Sequence, residues 1–497
     1  MLLAIQWGVI GIKTLQLILS LSILVILHEG GHFIPAKIFK CRVEKFYLFF
    51  DAWFSIAAFK KVQNKWRSKF LFKHLPTEEN IISENGEKEI KKISLEKLAD
   101  DDWRKYPQNT QYGIGWIPFG GYVKISGMID ESMDKEQMKQ PPQPYEFRSK
   151  PAWQRLIIMV GGVLVNVLLA IVIFAGIMFT WGDEYLPPQN LKYGMYADSL
   201  GRTIGLQDGD IITKVGDKPI KNAVKTAGAI VTSDAKMITV ERKGQEILLP
   251  ITDDLIKALH KTKLEKFADI RFPYIVDSIF PTSDAVKKGL QKGDRIIGVD
   301  SIQTPYANEF SNALKTESAV KNSIQLKVVR NNTDTLNFTI ALGNDKKIGM
   351  YAYDLKKLGF VTVKQKYSLL AAIPAGAAKC WDVLHTNLVG FKQIFTGKVK
   401  ASESLGSVIS IGNLFPGEWD WESFWTLTGI LSVILAFMNI LPIPALDGGH
   451  VLFTLVEMIT GKKPSDKFME YAQLFGMILL LALMAYALGL DFMRLFK

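Results

Sequence analysis

The chain has 497 residues, too many for one ordinary domain, and its 48% hydrophobic content stands beside 22% charged residues. A mean hydropathy of +0.12 with that much charge argues against an ordinary soluble chain and for membrane spans averaged with polar domains. The net charge of +11 admits a nucleic-acid or a membrane-surface role, but no zinc finger, RNP motif or helix-turn-helix pattern supports nucleic acid, and two cysteines, Cys41 and Cys380, exclude a disulfide framework.

The first predicted element is a membrane span, Leu2 to about Pro35. Its start, MLLAIQWG, carries no charge and no small-residue cleavage site follows, so it reads as a retained span rather than a signal peptide. The span runs into His28-Glu29-Gly30-Gly31-His32. On a helix, His28 and His32 lie one turn apart on one face, where their imidazoles converge on one ion. Glu29, beside them, is placed to take a proton from a metal-bound water. Two imidazoles plus one carboxylate suit zinc and leave a fourth position for water. At frequencies of about 2% for His and 6% for Glu, chance gives H-E-x-x-H in about one chain of this length in a hundred. Ionisable groups in or beside a span are expensive and functional by default. Gly30 and Gly31 lose about 2 kcal/mol of helix stability relative to alanines; they make sense if another backbone comes close. The plainer reading is a helix whose polar end lies in the headgroups.

Residues 37–151 are dense in Lys and Arg, which puts them on the cytoplasmic side. Aromatic, strand-like runs stand at both ends, Val43 to Phe59 and Gln111 to Met128, around a charged stretch (60–106) that reads as an exposed insertion. Residues 152–182 form the second span. The basic turn GKKPSDK between spans three and four repeats the cytoplasmic signal, so both chain ends and the region from Gly182 to about Ser423 lie outside. The basic excess then reads as topology.

The outer region holds a repeat. Gly205 to Ile220 (GLQDGDIITKVGDKPI) matches Gly289 to Thr304 (GLQKGDRIIGVDSIQT), each followed by a candidate helix and a hairpin. This gives two β-rich domains, 183–262 and 263–350, then a juxtamembrane amphipathic or linker region, 351–423. They resemble PDZ domains, which bind peptides by adding a strand to a sheet edge; a paired spacer or steric lid is the plainer role.

The third span, 424–459, is interrupted at NILPIPALDGGH, and the fourth is 468–493. Pro442 and Pro444 break or kink the helix, and broken helix at membrane depth is tolerated only inside protein or along a wet cavity. Asp447 there is a candidate third ligand, and Asn439 a candidate hydrogen-bond partner for an extended peptide. Asp447 also fits a helix cap, and His450 competes as the third ligand by type.

Together these motifs resemble the site-2 protease family, membrane-embedded zinc metalloproteases (peptidase family M50), and most closely its members with tandem PDZ domains. YGIGWIPFGGYVKISGM resembles that family's membrane-associated β-hairpin, and Gly162 to Asn166 its Gly-x-x-x-Asn element. The resemblance implies a multi-pass α-helical membrane protein of four spans with a β-hairpin and two PDZ-like domains in the bacterial inner membrane. It implies His28, His32 and Asp447 as zinc ligands, favouring Asp447 over His450, and Glu29 as general base. It implies Asn439, Gly113, Gly115, Gly120, Gly121 and Asn166 at the substrate. Its reaction is hydrolysis of a peptide bond within a transmembrane helix, which must unwind and lie extended. The implied partners are the bilayer and membrane proteins already trimmed outside, such as anti-sigma factors and remnant signal peptides. The PDZ-like pair gates access or contacts substrate ectodomains. One departure stands out: LGSVISIG, Leu405 to Gly412, lacks the proline of the family's Gly-Pro-x-Gly-Ile element.

Two other classes compete. A zinc transporter or sensor also needs His and Asp within spans, but gains nothing from Glu29. An inactive PDZ scaffold has no need of His28, Glu29, His32 and Asp447 together.

Overall fold

The computed structural model describes residues 7–73, 78–82, 88–92, 98–128, 141–262, 264–343, 346–397, 399–400 and 406–495. The chain divides into two compact units, one of Met1–Trp181, Tyr367–Asn387 and Leu405–Lys497, the other of Gly182–Lys366 and Leu388–Ser404.

In the first unit, helix α1 (Trp7–Ile38) carries the H-E-x-x-H pentapeptide near its end. Five strands follow in one sheet: β1 (Val43–Phe50), β2 (Phe54–Val62), β3 (Lys65–Lys73), and later β6 (Gln111–Ile114) and β7 (Ile117–Ile125). Strands β4 (Glu78–Ile82) and β5 (Lys88–Lys92) form a separate ladder. Helix α2 (Ala152–Thr180) comes next. Helix α3 (Leu369–Phe395) belongs to this unit as far as Asn387. Then come α4 (Val408–Leu414), α5 (Trp421–Ile440), α6 (Asp447–Thr460) and α7 (Asp466–Leu495). Among the described residues, four helices are long and apolar enough to cross a membrane: Trp7–Ile38, Ala152–Thr180, Trp421–Ile440 and Lys467–Met493.

The sheet order is β3-β2-β6-β1-β7. The expected hairpin of the two runs within 111–128 is therefore not a hairpin. β1 lies between them, parallel to β6 and antiparallel to β7. β1 begins with a fully buried Val43, and its Tyr47, also buried, hydrogen-bonds Gln111 of β6 and Ser55 of β2, so the aromatic strand takes an interior place between β6 and β7. The charged stretch from Lys60 is not all exposed insertion either. It completes β2 and supplies β3, and Trp103 is buried against Ala58 and Val62.

Helices α1 and α2 meet through glycine. A Cβ on Gly31 would run into the Gly161 carbonyl oxygen, and one on Gly161 into the Gly31 carbonyl oxygen. A Cβ on Gly30 meets nothing within 4 Å. Of the two expected close approaches, only Gly31 makes one. Residue 405 of the segment that departs from the family pattern lies outside the described residues; residues 406–412 are tied instead by Asp491 of α7. Its carboxylate accepts from the backbone N–H and the hydroxyl of both Ser407 and Ser410, at 2.5 to 3.0 Å.

The second unit holds two like sheets. In the first, strands Lys218–Pro219, Ile211–Val215, Met237–Arg242 and Gln245–Pro250 lie side by side. In the second they are Ile302–Gln303, Arg295–Val299, Ser323–Arg330 and Asp334–Ala341. The repeated Gly-Asp turn has one cause in both copies. Buried Asp210 accepts two hydrogen bonds from Arg242 at 2.7 Å, and Arg242 also donates to the Gly205 carbonyl. Asp294, Arg330 and Gly289 repeat this at 2.8 Å. The first repeat reaches beyond 262, because Ala268–Ile270 pairs with Met195–Ala197. The second extends to Ala352, paired with Val276.

Candidate metal centre and active site

Helical periodicity stacks His28 and His32 on the α1 face that meets α2. Gly162 of α2 lies directly beneath both rings: a Cβ there would strike His32 Nε2, and would sit 2.7 Å from His28 Cε1. Both histidines are buried, and their rings stand edge to face.

The third group arrives from the other end of the chain. Helix α5 ends at Ile440, and Pro442 and Pro444 hold the next residues out of helix. Ala445 takes φ +84°, a conformation unusual for a residue with a side chain. The chain then re-enters helix at Asp447 itself, after Leu446. Gly448 and Gly449 allow α6 to fold against the break, since a Cβ on Gly448 would strike the Leu441 carbonyl and one on Gly449 would lie 2.8 Å from Ile443 O. Asp447 is in the first turn of α6 and caps nothing; its buried Oδ2 has no hydrogen-bond partner.

That orphaned oxygen meets the two imidazoles. The separations His28 Nε2–His32 Nε2, His28 Nε2–Asp447 Oδ2 and His32 Nε2–Asp447 Oδ2 are each 3.3 Å. A tetrahedral ion with bonds of about 2.0–2.1 Å has ligand edges of about 3.3–3.4 Å. The donor set and its spacing therefore fit zinc. Among the described residues, the cluster of ligand atoms within 4.8 Å of one another is His28, His32 and Asp447. His450 is buried nearby, with Nε2 unpartnered, and stands outside that cluster.

Each histidine is also held on its far nitrogen. His32 Nδ1 donates to the Ile158 carbonyl of α2 at 2.8 Å, leaving Nε2 free to ligate. This main-chain acceptor has no sequence signature. His28 Nδ1 lies 3.1 Å from the Asn166 amide.

The cluster opens on a cavity of about 830 Å³. Glu29, Asn439 and His450 line it, and so does β7 from Gly120 to Ile125. Asn439 Nδ2 is 3.1 Å from His28 Nε2. β7 pairs with one strand, β1, so no strand lies along its other edge among the described residues, where the Glu29 carboxylate accepts from the Val123 N–H. The polar part of the wall is tied down: Lys45 pairs with Asp51 at 3.4 Å, Lys124 with Glu44 at 3.6 Å, and Tyr122 donates to Asp51 at 2.7 Å. Burial lowers the Lys45 pKa even against the attraction of Asp51.

Not every expected substrate contact lies here. Gly113 and Gly115 belong to β6 and its exit. β6 is paired on both sides, so it offers no edge for strand addition. Their lack of a side chain makes room for the Tyr47 ring and the Phe50 carbonyl. Asn166 is fully buried against His28 and is absent from the cavity wall. Gly120 and Gly121 do line the cavity, on β7.

A model of peptidase family M50 matches residues 97–483. Two relatives cover almost the whole chain. The "Regulator of sigma-E protease RseP" of Escherichia coli (strain K12) is 26% identical over 497 aligned residues, 96% of this chain and 98% of the relative. The "Protease RseP" of Yersinia pestis is 26% identical over 512, with the same coverage. The family match spans most of the chain, and the donor triangle has the chemistry that family requires: the chain belongs to peptidase family M50 and is a zinc metalloprotease.

Proposed function

We propose that the chain is an intramembrane endopeptidase that cuts transmembrane segments of single-span membrane proteins already trimmed outside. His28, His32 and Asp447 hold the zinc, and Glu29 is the general base. Bound zinc supplies a Lewis acid that polarises a carbonyl and makes water acidic near neutral pH. Glu29 accepts the proton of the attacking water and returns it to the leaving amide nitrogen. Because a helix hides its carbonyls, the substrate must be held extended. The edge of β7 with no strand beside it is suited to that by strand addition, and Asn439 is suited to hydrogen-bond the same strand. The observation that carries this reading is one cavity lined by the donor triangle, Glu29 and a strand edge with no strand beside it.

Anti-sigma factors and remnant signal peptides are the proposed substrate classes, as the family resemblance implies; one relative is named regulator of sigma-E protease. The bacterial inner membrane is the proposed location, with four spans, 37–151 cytoplasmic, and both termini and the PDZ-like repeats outside. In that arrangement the repeats gate access by size or touch substrate ectodomains. The discriminating experiment compares wild type with Glu29→Gln on a model transmembrane substrate, with zinc content measured in parallel. The proposal expects Glu29→Gln to keep its zinc and lose cleavage. A transporter or sensor would keep zinc without cleaving in either form, and a scaffold would do neither. Equal cleavage by both proteins rejects the general-base assignment.

A further inference from the structure

His28 touches two asparagines, on opposite sides of its ring. Asn439 meets the ligating nitrogen Nε2 at 3.1 Å and lines the cavity. Asn166 meets Nδ1 at 3.1 Å, has no exposed surface and is absent from the wall of that cavity. Their similar distances therefore hide different surroundings.

If Nε2 ligates zinc, the imidazole proton must sit on Nδ1, and Nδ1 then needs an acceptor. Asn166 is the group in position. As placed, its Nδ2 faces Nδ1 while its Oδ1 is buried without a partner. Turning the amide end for end exchanges two atoms of nearly equal size and brings Oδ1 to Nδ1. The neutral amide thus serves both tautomers. It donates to Nδ1 when His28 carries its proton on Nε2, facing Asp447, and accepts from Nδ1 when Nε2 binds metal. A carboxylate would supply the acceptor only by adding charge at a site with no exposure. The residue is fixed from behind: Ser432 of α5 donates to the Asn166 main-chain carbonyl at 2.7 Å, and Ser432 is itself fully buried. Helix α2 therefore supplies a partner for each histidine, the Ile158 carbonyl for His32 and the Asn166 side chain for His28.

We propose that Asn166 is a positioning residue of the zinc site, which sets the tautomer and ring orientation of His28 and has no contact with substrate. This rests on the ligand assignment proposed above. The test measures zinc affinity of the purified full-length chain by competition with a chelating dye, in wild type, Asn166→Leu, Asn166→Asp, His28→Ala and Asp447→Ala. Leu has nearly the size of Asn and no acceptor; Asp has an acceptor oxygen whether or not it is protonated. Loss of such a partner weakens metal binding by about 10–100-fold, so Asn166→Leu is expected to fall in that range and Asn166→Asp to stay within a few-fold of wild type. A purely structural role predicts the reverse order, because burial favours Leu over Asp. Wild-type affinity in Asn166→Leu, or equal loss in both variants, overturns the proposal. Retention of zinc by His28→Ala and Asp447→Ala would instead reject the ligand assignment, whatever Asn166 does.

Discussion

His28 and His32 stand on an uninterrupted helix, whereas Asp447 is delivered by a segment whose helix stops and starts again. The first half needs only the helical repeat and a close neighbour. Its geometry is local, and glycine against glycine sets the depth. The second half needs two prolines, a positive φ at Ala445 and two glycines to turn one carboxylate inward. A regular helix sets the spacing of two ligands by itself, but the distance to a third must be made by irregular backbone. That backbone is tolerated at this depth because it borders a cavity.

The largest expected effect attacks the regular half. Gly31→Leu puts a side chain where the Gly161 carbonyl lies, and forces α1 off α2. Zinc content should fall well below one per chain, and cleavage by about a hundredfold or more, the scale of an ångström's misplacement. Unchanged zinc in Gly31→Leu would mean that the helix contact does not set the site.

The irregular half should answer to backbone strain instead. Ala445→Val places a β-branched residue at φ +84°, and should destabilise the chain by about 1–3 kcal/mol and loosen zinc. Ala445→Gly should stabilise it. Thermal melts of the two variants give the order directly; equal melts would show that the conformation at 445 is not fixed.

The sheet beside the two halves offers a smaller, pH-dependent effect. Burial lowers the Lys60 pKa to about 8, with Arg42 adding to it and Glu44 and Asp102 opposing. The unfolded chain holds that proton up to a pKa near 10.4. Between these values the unfolded state binds more protons, so stability rises with pH from about 8 to about 10. Below 8 both states are charged and the burial penalty stands in full. Lys60→Met should remove this slope and stabilise the sheet at neutral pH by on the order of 2 kcal/mol. A pH slope that survives the substitution assigns it to another group.

The smallest effect is the control for the first. Gly30→Ala meets nothing within 4 Å and should gain up to about 1 kcal/mol of helix stability with zinc unchanged.

These differences also explain what the sequence made legible. His28, Glu29 and His32 declare themselves because a local spacing encodes their geometry. Asp447 could be picked out because a carboxylate between prolines and glycines is odd in an apolar run. Its advantage over His450 could not be read from residue type, since both fit zinc. That choice rests on where Ala445 and Gly448 aim the helix. The sheet was harder. Which strands neighbour each other depends on pairing across sixty residues, so the place of β1 between β6 and β7, and with it the enclosure of Gly113 and Gly115 within the sheet, has no local sign. Asn166 enters from the sequence only through the resemblance, as the end of the Gly-x-x-x-Asn element. Its partner was not legible, because facing His28 is a property of how α1 and α2 pack. The repeated Gly-Asp turn was legible as a pattern, and its reason, an arginine thirty-odd residues later in each copy, only in three dimensions.

In the proposed site, two distant halves of the chain share one zinc through Asp447 rather than His450. Zinc per chain, measured on purified wild type, Asp447→Ala and His450→Ala at matched folding, tests it most directly. The prediction is one zinc in wild type, almost none in Asp447→Ala, and one in His450→Ala. Zinc retained by Asp447→Ala and lost by His450→Ala would contradict it.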